Sequence, residues 1–315
     1  MVLQGKTMEQ YFDLPGAGFT IRCKMYCSDS SSRDDSAGAG AFVLSGSEDI
    51  GLPGSGDVAL PEDGAFELPE DGAFALPDDG SIRLPGTGFR HVILFCHGFA
   101  GHKDNAAAQR LAQHVLARRG DTALVIFNWP AHGDDAHECI SLADCDAYLE
   151  AMLRFVRGQL RPEILDACAT SFGGYLVLKY IRDHAEMPFR RLCLRCPAVV
   201  MHDVLTKTIL TPENLETLAG GGIVLSGFDR LVGISSSFLE DLHAADITAE
   251  DFRTYADRIL IVQGKADELV PFEAVQAFAA KNGIRFLPVE GADHRFLGPG
   301  QMEIVIESFT DYLGL

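Results

Sequence analysis

From His91 to the C-terminus, short apolar runs alternate with amphipathic stretches, and this alternation restricts the chain to few architectures. The runs HVILFC (91–96), TALVIF (122–127), EILDACAT (163–170), RRLCLRC (190–196), RILIVQ (258–263) and IRFLPV (284–289) read as strands. Helices are predicted near 104–119, 141–160, 172–185, 271–281 and 301–313. Strands that are apolar on both faces and separated by helical stretches specify a mostly parallel central sheet with right-handed crossovers and helices on both faces. The predicted fold class is therefore α/β, and sheets of this kind hold their ligands at the carboxyl ends of the strands. The segment from Pro197 to Tyr255 breaks the alternation with helix-like pieces such as PENLETLAG and SSSFLEDLHAADI. It is predicted to be a small helical cap, at about 197–255, inserted over the strand ends.

The chain divides into an N-terminal strand region (1–27), an insertion (28–88) and the main body (89–315). In the first, FTIRCKMYC (19–27) alternates well enough for an antiparallel strand. The insertion contains an octad repeat: GLPGSGDV (51–58), ALPEDGAF (59–66), ELPEDGAF (67–74), ALPDDGSI (75–82) and RLPGTGFR (83–90), with DLPGAGFT (13–20) as a stray copy. Each unit joins an apolar residue before proline to a glycine-containing turn, which suggests tight turns between short extended pieces. Two readings fit: an acidic, loosely folded surface insertion, or a small accessory β-structure serving a partner or solubility. Neither gives it a catalytic group in a fixed setting.

The formal charge of −19 is concentrated there. Between Ser28 and Ile82 thirteen acids face one base, Arg33, so the remaining residues carry only −7. Neither part has the basic surface that nucleic-acid binding requires. No apolar run reaches the roughly 20 residues of a membrane span, and Met1–Gln10 is polar, without the apolar stretch and cleavage site of a secretory leader. A cytoplasmic protein is the expectation. Cys96, Cys168, Cys193 and Cys196 lie in apolar runs and read as reduced core residues. Cys193 and Cys196 have the C-x-x-C spacing of redox and zinc sites, but in an extended strand they point to opposite faces, and no second pair stands at metal-site spacing. Neither metal nor cofactor is expected.

The strongest chemical signal is CATSFGGY (168–175), a buried strand ending in a serine with small neighbours and running straight into a helix. This is the nucleophile-elbow pattern, with Ala169 where the first glycine usually stands. Small residues two before and two after Ser171 let the strained turn close. The turn lifts the hydroxyl clear of the sheet and aims the first helix amides at a substrate oxygen. Read alone, the motif also fits a serine N-cap followed by two glycines.

A serine hydroxyl needs a base to take its proton and a third group to hold that base. RILIVQ is followed by GKADELVP (264–271) and IRFLPV by EGADHRF (290–296), two loops at the same end of the sheet. They supply Asp267 and His294 in the chain order serine, acid, histidine that this fold uses. Asp293 adjoins His294 too closely to reach its ring, Glu268 requires the turn to be read one residue later, and Asp257 precedes its strand. After HVILFC, the turn HGFAG (97–101) can set the backbone N–H of Phe99 opposite that of Phe172, giving two oxyanion donors. His97 reads as a structural hydrogen-bonding residue more than as a second base. The loop NWPAHGD (128–134) is expected at the rim of the pocket only.

Taken together, HGFAG, PAHGDD (130–135), ATSFGG (169–174), QGKADELVP (263–271) and GADHRF (291–296) resemble the α/β-hydrolase superfamily over nearly all of 89–315. The chain is most similar to bacterial carboxylesterases of the cinnamoyl (feruloyl) esterase and monoacylglycerol-lipase-like group, with serine aminopeptidases as neighbours. The resemblance implies a serine hydrolase of small-molecule carboxylic esters with short or aromatic acyl groups, working through Ser171, Asp267 and His294. Ala169 and Phe172 depart from the glycine and glutamine usual in the cinnamoyl esterases, which weakens any inference about the acyl group. A peptidase or amidase on the same residues, or a non-catalytic partner-binding scaffold, is the alternative; the oligomeric state is left open.

Overall fold

A computed structural model describes residues 7–16, 18–28, 88–228 and 230–315. The acidic insertion predicted over 28–88 lies outside the described residues apart from Ser28 and Gly88.

Ten strands and eight α-helices are described. β1 (Thr7–Gly16) and β2 (Phe19–Ser28) pair antiparallel, with the octad-like DLPGAGFT giving Asp13–Gly16 to one strand and Phe19–Thr20 to the other and Gly16 paired to Phe19. The strands β3 (His91–Cys96), β4 (Thr122–Phe127), β5 (Ile164–Thr170), β6 (Leu192–Arg195), β9 (Ile259–Gly264) and β10 (Arg285–Val289) continue the sheet. The order is β1-β2-β4-β3-β5-β6-β9-β10. β2 pairs antiparallel with β1 and β4, and the six remaining strands run parallel. From β3 the chain turns first to β4 and then to β5 on the other side. The order thus reverses at β3 and β5, and a crevice opens at their carboxyl ends.

Period-two alternation divides each buried strand between two cores. Val92, Leu94 and Cys96 of β3 join one, Ile93 and Phe95 the other. Burying a leucine such as Leu94 contributes about 2 kcal/mol relative to leaving it in water. Helices α1 (Ala106–Leu116) and α8 (Gln301–Leu313) cover one face; α2 (Leu142–Phe155), α3 (Phe172–His184) and α7 (Phe272–Asn282) cover the other. The side chains of Asn105 and Ser141 accept hydrogen bonds from the first free amides of α1 and α2, which fixes where each helix begins.

Between β6 and β9 the chain forms α4 (Met201–Val204), extended by a π turn to Ile209, then α5 (Pro212–Ala219) and α6 (Ser236–Ala244). Between α5 and α6 lies a hairpin, β7 (Val224–Gly227) and β8 (Leu231–Ile234), that the helical reading of this segment did not anticipate. The two strands have four residues each and contain glycine, too short to show periodicity. They are held to the domain by burial of Val224, Val232 and Ile234 in the core and by backbone bonds to the loop after β4: His137 N–H to Leu231 O (2.8 Å), Gly233 N–H to Glu138 O (2.7 Å) and Ile140 N–H to Gly233 O (3.0 Å).

One expectation about the cysteines changes. Cys193 and Cys196 belong to the same core rather than to opposite faces, because β6 ends at Arg195 and Cys196 has φ +45°. That turn cancels the alternation of the strand.

Candidate active site

Strained backbone is concentrated at the carboxyl edge of the sheet. Ala100, Ala131, Ser171, Cys196 and Phe296, which follow β3, β4, β5, β6 and β10, all have positive φ without being glycine. Such conformations cost energy and persist only where the surroundings over-determine them.

Ser171 is the sharpest case. It stands between β5 and α3 with φ +51° and ψ −119°. Its N–H donates to Arg195 O (3.0 Å), and its carbonyl accepts from Ala198 and Tyr175 (both 3.1 Å), so β6 and α3 clamp it from two sides. The small neighbours are sterically required. A Cβ at Gly173 would stand 2.4 Å from His97 O and 2.5 Å from Cys96 O, both rigid backbone. A Cβ at Gly98 would come within 3.1 Å of Ser171 Cβ, so the turn after β3 lies against the serine. Ala169 is fully buried and meets the same need for a small side chain. The Ser171 hydroxyl forms no hydrogen bond among the described residues; it is half-buried, and catalytic bonds of this kind commonly tighten only around substrate.

Asp267 and His294 meet directly. His294 Nδ1 lies 3.0 Å from Asp267 Oδ1 and 2.9 Å from Oδ2, with the carboxylate fully buried. Oδ1 also accepts the backbone N–H groups of Leu269 (3.0 Å) and Val270 (2.8 Å), and Oδ2 accepts Gln263 Nε2 (2.8 Å). Burial works to raise the carboxyl pKa, but the bonds from His294, Val270 and the Cys196 thiol outweigh it and hold it below its ordinary value. The rival acids are engaged elsewhere. Asp293 accepts the backbone N–H of Arg295 and Leu297, Glu268 accepts the backbone N–H of His294, and only the carbonyl of Asp257 is used, by Tyr312 at the opposite end of β9.

Two residues beside the pair had no assigned part in the sequence. Gln263 is the one polar residue closing an otherwise apolar buried strand, and that interruption was the available signal. Cys196 was visible only as half of a C-x-x-C spacing. Its Sγ, an Asp267 oxygen and a His294 ring nitrogen all lie within 4.8 Å of one another. Burial first, and then the Asp267 charge, push the thiol well above its usual pKa, so it stays protonated and offers a weak donor.

Phe99 and Phe172 lie together, their rings edge to face at 6.0 Å. Among the described residues neither backbone N–H has a backbone acceptor; as the first residue of α3, Phe172 has none within the helix. The loop after β4 differs from the expected rim. Asn128 to Gly133 is buried beneath this turn instead, because Trp129 Nε1–H donates to His97 O (3.0 Å) and Trp129 N–H to His97 Nε2 (3.4 Å). His97 Nδ1 bonds to Gly98 O (2.8 Å) and His132 Nδ1 to Pro130 O (2.8 Å). Burial drives the His97 pKa well below its usual value and that of His132 down to about 4, so both rings are neutral props for the turn. The hairpin tip closes over it, with Gly227 so near that a Cβ would stand 2.9 Å from Ala100 Cβ.

Among the described residues no helix is long and apolar enough to cross a membrane. The family described as "Alpha/beta hydrolase family" matches residues 93–305, more than half of the chain. No curated protein sequence matches it. Solved structures with the same fold include Est1E from Butyrivibrio proteoclasticus with ferulic acid bound: TM-score 0.54 and 17% identity over 71% of this chain and 90% of that one. The esterase domain of a Rhodothermus marinus protein gives 0.53 and 14% over 97% of each chain. A monoacylglycerol lipase from Paleococcus ferrophilus gives 0.51 and 17% over 72% of this chain and 95% of that one.

Proposed function

The chain belongs to the alpha/beta hydrolase family, and from that premise we propose that it hydrolyses carboxylic esters with short or aromatic acyl groups through an acyl-enzyme on Ser171. The observation that carries this reading is the bidentate contact of Asp267 with His294 Nδ1, at the sheet edge where Ser171 is held in its strained turn.

The Asp267 contact keeps the proton of the imidazole on Nδ1 and leaves Nε2 as the base. Nε2 takes the Ser171 proton as Oγ attacks the ester carbonyl carbon. The carbonyl π pair moves onto oxygen, where the N–H groups of Phe99 and Phe172 receive it, reinforced by the α3 dipole. Collapse of the tetrahedral intermediate expels the alcohol oxygen, which takes the proton from Nε2. Water, deprotonated by the same nitrogen, then attacks the acyl carbon, and collapse of the second tetrahedral intermediate breaks the bond to Ser171 Oγ, which takes the proton back from Nε2 as the acid leaves. Asp267 stabilises the imidazolium at each step and stays ionised, which its lowered pKa supports. Side chains, backbone amides and water supply all of this chemistry.

The segment from 197 to 255 acts as a cap over the strand ends and sets selectivity. The contact of its hairpin with the Ala100 turn supports this role. Est1E, whose structure holds ferulic acid, and the Paleococcus lipase lend support to ester substrates of aromatic and acylglycerol type. The eight cysteines form no disulfide, and seven of them are buried, which suits a reducing compartment such as the cytoplasm.

The deciding experiment is Ser171→Ala. Turnover of p-nitrophenyl butyrate and labelling by a fluorophosphonate probe should both be lost, while aminoacyl-nitroanilides are not cleaved by the native protein. Retained ester turnover would refute the assignment.

A further inference from the structure

Gln263 closes β9 with its side chain fully buried. Its Nε2 donates to Asp267 Oδ2 at 2.8 Å and makes a long contact to Val270 O at 3.5 Å, while its Oε1 is buried with no partner among the described residues. An ionised carboxylate only accepts hydrogen bonds, so it dictates which way the amide turns: nitrogen toward Asp267, oxygen to a side where no donor among the described residues bonds to it. A buried carbonyl oxygen without a donor is unfavourable. Methionine or leucine would fill a comparable volume without that orphan atom. The retained amide therefore points to work done by its N–H.

That work follows from how the carboxylate is held. The amides of Leu269 and Val270 both bind Oδ1, which fixes one oxygen but leaves the carboxylate plane free to swing about it. Gln263, on the strand rather than the turn, fixes Oδ2. Two anchors on separate elements define the plane, and His294 Nδ1 meets both oxygens at nearly equal distance. The Cys196 thiol on the same carboxylate is too weak a donor to replace the amide. We infer that Gln263 is a positioning residue, holding the plane of Asp267 so that His294 keeps one orientation throughout turnover. The inference rests on the triad reading given above.

The test uses the full chain with Gln263→Met, Gln263→Glu and, in parallel, Ser171→Ala. Gln263→Met should lower kcat for p-nitrophenyl butyrate by about 10²-fold, the scale of a misplaced reacting group, with KM unchanged. The downfield proton resonance of His294 Nδ1–H should shift or broaden. In Gln263→Glu the introduced carboxyl shares a proton with Asp267 and can donate only while it holds that proton. Its kcat relative to native protein, measured at each pH, should therefore fall as pH rises. A Gln263→Met protein with native kcat and an unmoved resonance overturns the inference. If that variant does not fold, a Gln263→Glu ratio independent of pH overturns it instead. Loss of turnover in Ser171→Ala alongside either negative result would leave the triad standing and remove only Gln263; survival of turnover in Ser171→Ala would remove the triad itself.

Discussion

His294 Nδ1 contacts both oxygens of Asp267, at 3.0 and 2.9 Å, rather than one. In Asp267→Asn the amide nitrogen replaces one of these oxygens and faces both the ring and either Gln263 Nε2 or the Leu269 and Val270 amides, and the imidazole is pushed toward the tautomer with its proton on Nε2. The variant should keep its fold and lose about 10⁴-fold in kcat, read by ester turnover with circular dichroism as the control.

Gly173→Ala tests the elbow without touching a reacting group. The new methyl meets the backbone carbonyls of His97 and Cys96 at 2.4 and 2.5 Å and cannot be relieved by a side-chain rotation. The expected cost is about 3 kcal/mol in a urea titration. Because these carbonyls close β3 and open the turn carrying Phe99, ester turnover should fall about 10²-fold or more in the protein that remains folded.

Of the eight cysteines only Cys139 is exposed, and burial raises the thiol pKa of Cys23, Cys96, Cys145, Cys193 and Cys196. Iodoacetamide at pH 8 should modify Cys139 in the native protein and all eight after denaturation, counted by mass spectrometry. Cys196 should remain unmodified and ester turnover intact, since a thiol beside the Asp267 charge is a poor nucleophile unless it ionises.

At the opposite end of the sheet, Asp166 is fully buried and bonds His91 Nε2 (2.8 Å), Arg190 Nε (3.0 Å) and the Arg191 N–H (2.9 Å). Burial works to raise its pKa, and His91 and Arg190 more than reverse this. A carboxyl depressed on folding stabilises the native state above its unfolded pKa of about 3.9 and loses that contribution as pH falls through the lower folded value. Asp166→Asn should cost about 3 kcal/mol at pH 7, at the low end for a broken buried pair because Arg190 keeps contact with water. The gap between variant and native urea midpoints should narrow below pH 4.

Ser28 and Gly88, the ends of the acidic insertion, belong to the edge of the sheet away from Ser171. Cys27 pairs with Ala123 and His91 with Thr122, at the starts of the parallel strands. β2 and β3 flank β4, so Ser28 and His91 stand about 10 Å apart, with Gly88 three residues before His91. A Gly/Ser linker of about eight residues spans that distance. Replacing 29–87 with it should leave kcat/KM for p-nitrophenyl butyrate unchanged, which also tests whether the octads take any part in catalysis.

The legible part of this chain was the part decided by local pattern. β3 and β4 stand at the residues read from HVILFC and TALVIF, since burial on both faces keeps every position after the first apolar in each run. β1 was missed because TMEQYFDLPG mixes charge and proline with few apolar positions, as an edge strand does. The loops bearing Asp267 and His294 were readable from their place after consecutive strands. The neighbours of Asp267 were not. Gln263 stands four residues before Asp267 and was marked only by being polar in an apolar strand, while Cys196 reaches it through the β6–β9 register, in which Arg195 pairs with Val262, a long-range relation that no local spacing encodes. The NWPAHGD loop was misjudged for the same reason: the aromatic contacts that bury it are made by turns far away in sequence.

The β7–β8 hairpin is fastened to the loop after β4 through main-chain atoms, and main-chain bonds are blind to the side chains above them. Gly227 and Gly233 are committed by close backbone approaches, whereas Leu225, Phe228 and Leu231, and Ile223 just before β7, keep exposed surface. This division makes the hairpin an evolvable module. Its outward residues can drift, or be randomised in a library, while its attachment stays constant, so the exposed face of the hairpin and its structural integrity are inherited separately.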